Sequence, residues 1–88
     1  MERGERMPAI SRFYGMTIKM FFNDHNPPHI HVVYGEYMGM IDINSVEMLN
    51  GDLPINAQKL VREWVNKHKS DLIEMWDTKK VRQLMPLK

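Results

Sequence analysis

Hydrophobic and polar positions follow two different periods along the chain, and the change falls near Pro54. Between Met16 and Leu49, apolar residues alternate with polar ones, which is the period of strands with one buried face. After Pro54 the apolar residues recur every three or four positions, as in an amphipathic helix. The pattern therefore predicts an α+β domain, in which a small antiparallel sheet of three to four strands is followed by one long or two short C-terminal helices packed on one face.

The predicted strands are separated by turn residues. They cover residues 16–22, 29–34, 37–43 and, after a turn at 44–45, the short run 46–49. Gly35 and Glu36 are predicted to form a two-residue connection, because glycine at the first position favours a type II′ hairpin turn. The helical pattern is predicted to run from about Pro54 to Pro86.

The hairpin turn also predicts which side chains face each other on the sheet. With this turn, His31 faces Met40 and His29 faces Asp42 on one side of the sheet. A two-residue turn at 44–45 adds Glu47 opposite Asp42. The apolar side chains that then face the helix are Ile30, Val32, Ile41, Ile43, Val46 and Met48. A slip of one residue would bury the histidines, so this prediction depends on the register.

Composition limits the class of protein. The 88 residues are 43% hydrophobic and carry a net charge of +1, which fits one globular domain and does not by itself indicate nucleic-acid binding. The chain has no cysteine, which excludes disulfides and thiolate metal sites. No apolar run approaches the roughly 20 residues of a membrane span. We therefore expect a cytoplasmic protein with no membrane association, a disordered tail at residues 1–6 and a single domain at residues 7–85.

Candidate chemistry is concentrated in the sequence N-D-H-N-P-P-H-I-H at residues 23–31, which holds three of the four histidines. The two consecutive prolines predict a loop, because proline cannot donate ladder hydrogen bonds. Imidazoles at His25, His29 and His31 are candidates for acid–base catalysis, or for ligands of a divalent metal such as zinc. Three carboxylates are candidates for orienting these rings: Asp24, Asp42 and Glu47.

The alternative interpretation of these histidines is an ordinary polar sheet face, with a weak surface hydrogen bond between His29 and Asp42. Arg12 and Lys19 are candidates for holding an anion, and the alternative for both is a solvated charge. The nine methionines indicate either an adaptable core or a surface that binds a partner.

The 23–31 string and the preceding M-P-A-I-S-R-F-Y-G-M at residues 7–16 resemble a small prokaryotic family called domain of unknown function 4160. The resemblance covers residues 7 to about 76, and Leu53-Pro54 and Trp64 also fit it. It implies a small cytoplasmic protein that is often encoded beside another small domain, an arrangement similar to a toxin–antitoxin pair. The resemblance implies a functional site at Asp24, His25, His29 and His31.

Two functions of different classes fit these observations. In the first, a toxin–antitoxin-type component uses its histidines to act on nucleic acid or to bind a metal. In the second, the protein is a non-enzymatic interaction module whose methionine-rich surface meets a small partner encoded nearby, or a second copy of the chain in a homo-oligomer. Both fit the same sequence pattern, which names neither a reaction nor a cofactor.

Overall fold

The fold is an antiparallel sheet followed by one helix, in a computed structural model that describes residues 9–21 and 25–87. The strands are β1 (Ala9–Phe13), β2 (Met16–Lys19), β3 (His29–Tyr34), β4 (Tyr37–Asp42) and β5 (Met48–Gly51), and the helix is α1 (Ile55–Thr78). The strands lie side by side in chain order. The predicted α+β class is confirmed, while the predicted tail at residues 1–6 lies outside the described residues.

Across residues 9–21 and 25–87 the sheet has five strands, so the prediction of three to four was wrong. The missed strand is β1, where a bulge shifts the register between Ala9 and Ser11. Ile10 and Ser11 are consequently both buried, and the alternation that identifies a strand in the sequence is lost. Tyr14 and Gly15, with φ values of 49° and 79°, form the tight turn that returns the chain into β2.

The central hairpin has the predicted register. His29 pairs with Asp42 and His31 pairs with Met40 between β3 and β4. Gly35 has the positive φ, 61°, that the first position of a type II′ turn requires. This register places the two histidines on the same side of the sheet.

The next strand starts later than predicted, at Met48 instead of residue 46. Val46 adopts a positive φ of 61° and its N–H donates to the carbonyl oxygen of Asp42 over 2.8 Å. The N–H of Asp42 in turn donates to the carbonyl oxygen of Glu47 over 2.8 Å. The chain therefore makes a wider turn between β4 and β5 than the two residues 44–45.

Helix α1 is single but kinked, because His68 has non-helical dihedral angles (φ −115°, ψ 19°). It ends at Thr78, before Lys79 at φ 62°, and the predicted end at Pro86 was wrong. Its buried face follows the predicted spacing of three to four residues. The buried helix residues are Ala57, Val61, Trp64, Val65, Leu72, Met75 and Trp76. They form one core with the sheet side chains Ile30, Val32, Ile41 and Ile43.

The chain after α1 turns back to the first strand. The N–H of Leu84 donates to the carbonyl oxygen of Ile10 in β1 over 2.8 Å. The carbonyl oxygen of Met85 accepts from Trp64 Nε1 over 2.8 Å and from His68 Nε2 over 3.0 Å. This segment thus attaches the helix to β1. The helix covers one face of the sheet, and the candidate site lies on the opposite side.

We call that opposite side the outer face. By strand alternation and register it carries Arg12, Thr17, Lys19, His29, His31, Val33, Met38, Met40, Asp42 and Asn50. Most of these side chains are half-buried or exposed, whereas the alternate residues on the same strands are in the core.

Candidate functional site

His29, the first residue of β3, is buried with 4% of its surface exposed. Its Nδ1 lies 2.7 Å from the carbonyl oxygen of Pro27. Because a carbonyl oxygen only accepts hydrogen bonds, Nδ1 carries the proton and the lone pair of the neutral ring lies on Nε2. The proline loop therefore selects the tautomer of His29 in which Nε2 can take up a proton or bind a cation.

A row of rings extends from His29 in both directions. The centroid of His31 lies 5.1 Å from that of His29, and Phe21 lies 4.1 Å beyond His31. On the other side Trp76 lies 5.1 Å from His29, and the Nζ of Lys79 lies 5.2 Å from the centroid of the Trp76 ring. The two imidazoles are thus held side by side between two aromatic rings, with an ammonium group at one end of the row.

The loop before β3 is attached to both the sheet and the helix. The carbonyl oxygen of Pro28 accepts from the N–H of Ile43 over 2.9 Å. The Oδ1 of Asn26 accepts from Trp76 Nε1 over 3.3 Å, and the peptide bond between Asn26 and Pro27 is cis. The carbonyl group that orients His29 is therefore itself held in place by two separate elements.

Asp42 pairs with His29 in the register, as predicted, and its carboxylate is engaged in the following turn. Its Oδ1 accepts from the backbone N–H groups of Asn44 (2.8 Å) and Ser45 (3.0 Å). This is the arrangement by which an aspartate fixes a turn. Glu47 is exposed. On the Nδ1 side of His29 the orienting acceptor is therefore a backbone carbonyl group.

The predicted metal ligands are brought together only in part. His29 and His31 are neighbours, while His25 is exposed in the loop and Asp24 lies outside the described residues. Within residues 9–21 and 25–87 there is no group of three or more His, Cys, Asp or Glu side chains that could hold a metal ion. The metal site at His25, His29 and His31 stays a prediction.

Of the two cations proposed to hold an anion, Lys19 is the one beside the histidines. It pairs directly with His31 between β2 and β3, which places the two Cβ atoms about 5 Å apart. Arg12 pairs with Thr17, farther along the strands, and is exposed. An anion bound over His31 would therefore meet Lys19 first.

A pocket of about 220 Å³ opens on the outer face next to His31. The residues that line it are His31, Met38, Gly39, Met40, Asn50 and Gly51. Its walls are therefore mostly methionine side chains and glycine backbone, with one imidazole and one amide as the polar groups.

The family model described as Domain of unknown function (DUF4160) matches residues 15–77. The chain belongs to this family. The match contains β2 to β5, the described part of the proline loop and all of α1 but its last residue, whereas β1 lies before it. It begins at Gly15, eight residues after the expected start at residue 7. Neither a curated protein nor a solved structure matches the chain.

Three side chains near the histidines of this DUF4160 protein were not predicted as part of the site. Phe21 lies on the same face of the predicted strand 16–22 as Thr17 and Lys19, but it was not named as part of the site. The helical period places Trp76 on the buried face of α1, and the rotation of α1 over the loop has no sequence signal. Asn50 was missed because the turn before β5 is wider than predicted.

In the described part of this DUF4160 chain, no helix combines the length and the apolar character that crossing a membrane requires.

Proposed function

We propose that this DUF4160 protein is a cytoplasmic prokaryotic component of the toxin–antitoxin type, in which His29 and His31 cleave RNA as a general acid–base pair. The observation that carries the proposal is the contact of the two imidazoles, 5.1 Å apart, with the tautomer of His29 set by Pro27. RNA cleavage needs one group that takes a proton and one that gives a proton. Imidazole is the side chain that can do either near neutral pH.

The two histidines have different roles in this proposal. His29 takes the proton of a ribose 2′-hydroxyl as that oxygen attacks the neighbouring phosphorus. His31 gives a proton to the 5′-oxygen that leaves, so the products are a 2′,3′-cyclic phosphate and a 5′-hydroxyl. The ammonium group of Lys19, paired with His31, neutralises charge on the phosphate.

Burial restricts how the substrate approaches. His29 is 4% exposed, so little of its ring is open to the 2′-hydroxyl. His31 is half-buried on the outer face, so the phosphate lies over His31 and Lys19. The packing of Phe21 and Trp76 against the two rings limits their rotation, which favours a fixed geometry for proton transfer.

Metal binding is the alternative use of the same residues. Histidines that bind metal usually donate the other ring N–H to a carbonyl or carboxylate oxygen, as His29 does to Pro27. With His25 as the third nitrogen ligand, a zinc ion would keep a fourth position for water. This alternative requires His25 to approach the other two rings.

Exposed apolar side chains support the binding-module alternative. Met38 is 55% exposed, and the exposed rings of Tyr34 and Tyr37 lie 6.3 Å apart at the end of the same hairpin. Because Met38 and His31 share the outer face, a small protein bound there would also cover the histidines. The partner that we propose for this surface is an antitoxin encoded nearby, and a second copy of the chain is the competing occupant.

The test is cleavage of a labelled single-stranded RNA by the purified protein, with and without chelator. We expect cyclic-phosphate products that survive chelator, and a loss of at least about 100-fold in rate in His29→Ala and in His31→Ala. The matched control is His68→Gln, because His68 lies on α1 against Trp64 and Met85. Expression of the wild type and the control should slow growth, whereas expression of the two other variants should not.

Two results separate the alternatives. Loss of cleavage in chelator, restored by zinc, would favour the metal site over metal-free acid–base catalysis. Unchanged cleavage and unchanged growth inhibition in both histidine variants would contradict any catalytic function of this face.

A further inference from the structure

Four side chains form one row across the outer face. Lys19 pairs with His31, His31 pairs with Met40, and Met40 pairs with Asn50. Neighbouring strands lie about 4.8 Å apart, so the row is about 14 Å long. It presents, in order, a cation, an imidazole, a thioether and an amide.

The pocket beside His31 lies at the amide end of this row. Its volume is about 220 Å³. That is smaller than the sites of drug-sized ligands, and is on the scale of a single heterocycle. Gly51 (φ 122°) allows β5 to come close to β4, since a Cβ on this residue would collide with the backbone of Met38.

We propose that this pocket binds one unpaired purine base of single-stranded RNA, next to the phosphate that His31 and Lys19 contact. The inference rests on the proposed function, and names the substrate feature that would bring RNA to the histidines. Single-stranded RNA is recognised through unstacked bases, which enter pockets and form hydrogen bonds along their edges.

The lining has the chemistry that a base requires. The sulfur atoms of Met38 and Met40 are polarisable, and thioethers make favourable contacts with aromatic rings. The amide of Asn50 has both a donor and an acceptor, which can pair with adjacent polar atoms on the edge of a base. His31 lines the pocket. The phosphate attached to a nucleotide whose base is bound there would therefore lie near the imidazole of His31.

The binding experiment uses adenosine 3′-monophosphate as the probe and inorganic phosphate as the baseless control. Nuclear magnetic resonance follows the methionine methyl groups and the side-chain amides of the full chain. We expect saturable shifts at Met38, Met40 and Asn50 with the nucleotide. Phosphate, which in this proposal contacts Lys19 and His31, should shift Met40 at most, because Met40 pairs with His31, and should leave Met38 and Asn50 unchanged. The methyl group of Met85, which is 68% exposed outside the outer face, is the internal reference.

A pair of asparagine variants tests the specific contact. Asn50→Ala should weaken nucleotide binding about tenfold, the scale of a lost amide–base pair. Asn66→Ala, an exposed asparagine on α1, should leave the affinity unchanged. Uridine 3′-monophosphate should bind more weakly than the adenosine nucleotide, because its single ring fills less of the pocket.

The outcomes distinguish this inference from the function on which it rests. Nucleotide shifts in the pocket together with an absence of RNA cleavage would support the base site and contradict the catalytic proposal. Cleavage that depends on the histidines, without nucleotide shifts at Met38 and Met40, would overturn the base site alone. Shifts at these methionines with a partner protein and not with any nucleotide would also overturn it, and would assign the pocket to protein binding.

Discussion

The two faces of the same sheet differ in what they bury. On β3, Ile30 and Val32 point into the core and are completely buried. The alternate residues His31 and Val33 lie on the outer face and are half-buried. The inner face is closed by α1, and the outer face carries the histidines, cations and exposed methionine. Side chains that stabilise the core and side chains proposed to act in the site therefore alternate along the same strand.

The comparison teaches that substitutions on the two faces should have different consequences. Inner-face side chains are packed on all sides, so their truncation leaves a cavity and lowers the free energy of unfolding. Outer-face side chains lose little packing when truncated, so their effects should appear in binding or activity. His29 is the exception, because it belongs to the outer face by register and is nevertheless buried, with the ring of Trp76 5.1 Å away.

The largest expected effect is that of Trp64→Ala on the inner side. Trp64 is 0% exposed, lies 5.7 Å from the ring of Phe13 and donates from Nε1 to Met85. Truncation should lower the free energy of unfolding by about 3–5 kcal/mol, which is enough to unfold a domain of this size. Thermal unfolding followed by circular dichroism measures the effect, and an unchanged midpoint would contradict the described core.

The second effect separates the two histidines. His29→Ala should lower the free energy of unfolding by about 1–3 kcal/mol, because it removes a buried ring and the hydrogen bond to Pro27. His31→Ala should lower it by less than about 1 kcal/mol, since this ring is half-buried. Urea unfolding of both variants makes the comparison. Equal losses would mean that His29 is not distinguished by burial.

The third effect has the opposite sign. Ser11 is buried with 7% exposed, and among the residues that the structure describes its Oγ has no hydrogen-bond partner. Because an unpaired buried hydroxyl costs free energy, Ser11→Ala should stabilise the protein by about 1 kcal/mol. Ser70→Ala, at an exposed helix position, serves as the matched control. A destabilised Ser11→Ala variant in urea unfolding would show that the hydroxyl has a partner in solution.

The smallest effect on stability is expected for Met38→Ala. With 55% of the side chain exposed, the free energy of unfolding should change by no more than about 0.5 kcal/mol. If an adjacently encoded partner covers the outer face, the same variant should weaken the complex, and Met85→Ala should not. Titration with that partner, followed through methyl spectra, tests the contact. Complex formation without a shift at Met38 would place the interface elsewhere.

The sequence was informative where local rules determine the structure. The type II′ turn at Gly35 determined the pairing of β3 with β4, and so the common face of His29 and His31. The 3.6-residue period identified the buried stripe of α1. Both predictions depend on residues near each other along the chain, which is why they are confirmed.

Features that depend on distant contacts could not be predicted. The bulge in β1 removes the alternation of buried and exposed residues there. This strand also accepts a backbone hydrogen bond from a C-terminal segment that the pattern assigned to the helix. The contact between His29 and Trp76 depends on how α1 lies over the proline loop. These two residues are 47 positions apart along the chain. The pocket at Asn50 depends on the wide turn before β5.

The most direct test of the central claim is the pH dependence of RNA cleavage in chelator, measured for the wild type, His29→Ala and His31→Ala. The proposed pair needs one neutral and one protonated imidazole, so the wild-type rate should follow a bell-shaped curve. Removing either histidine should abolish one limb of the curve and leave a rate that changes with pH in a single direction. A wild-type rate independent of pH, or a bell that survives in both variants, would contradict acid–base catalysis by His29 and His31.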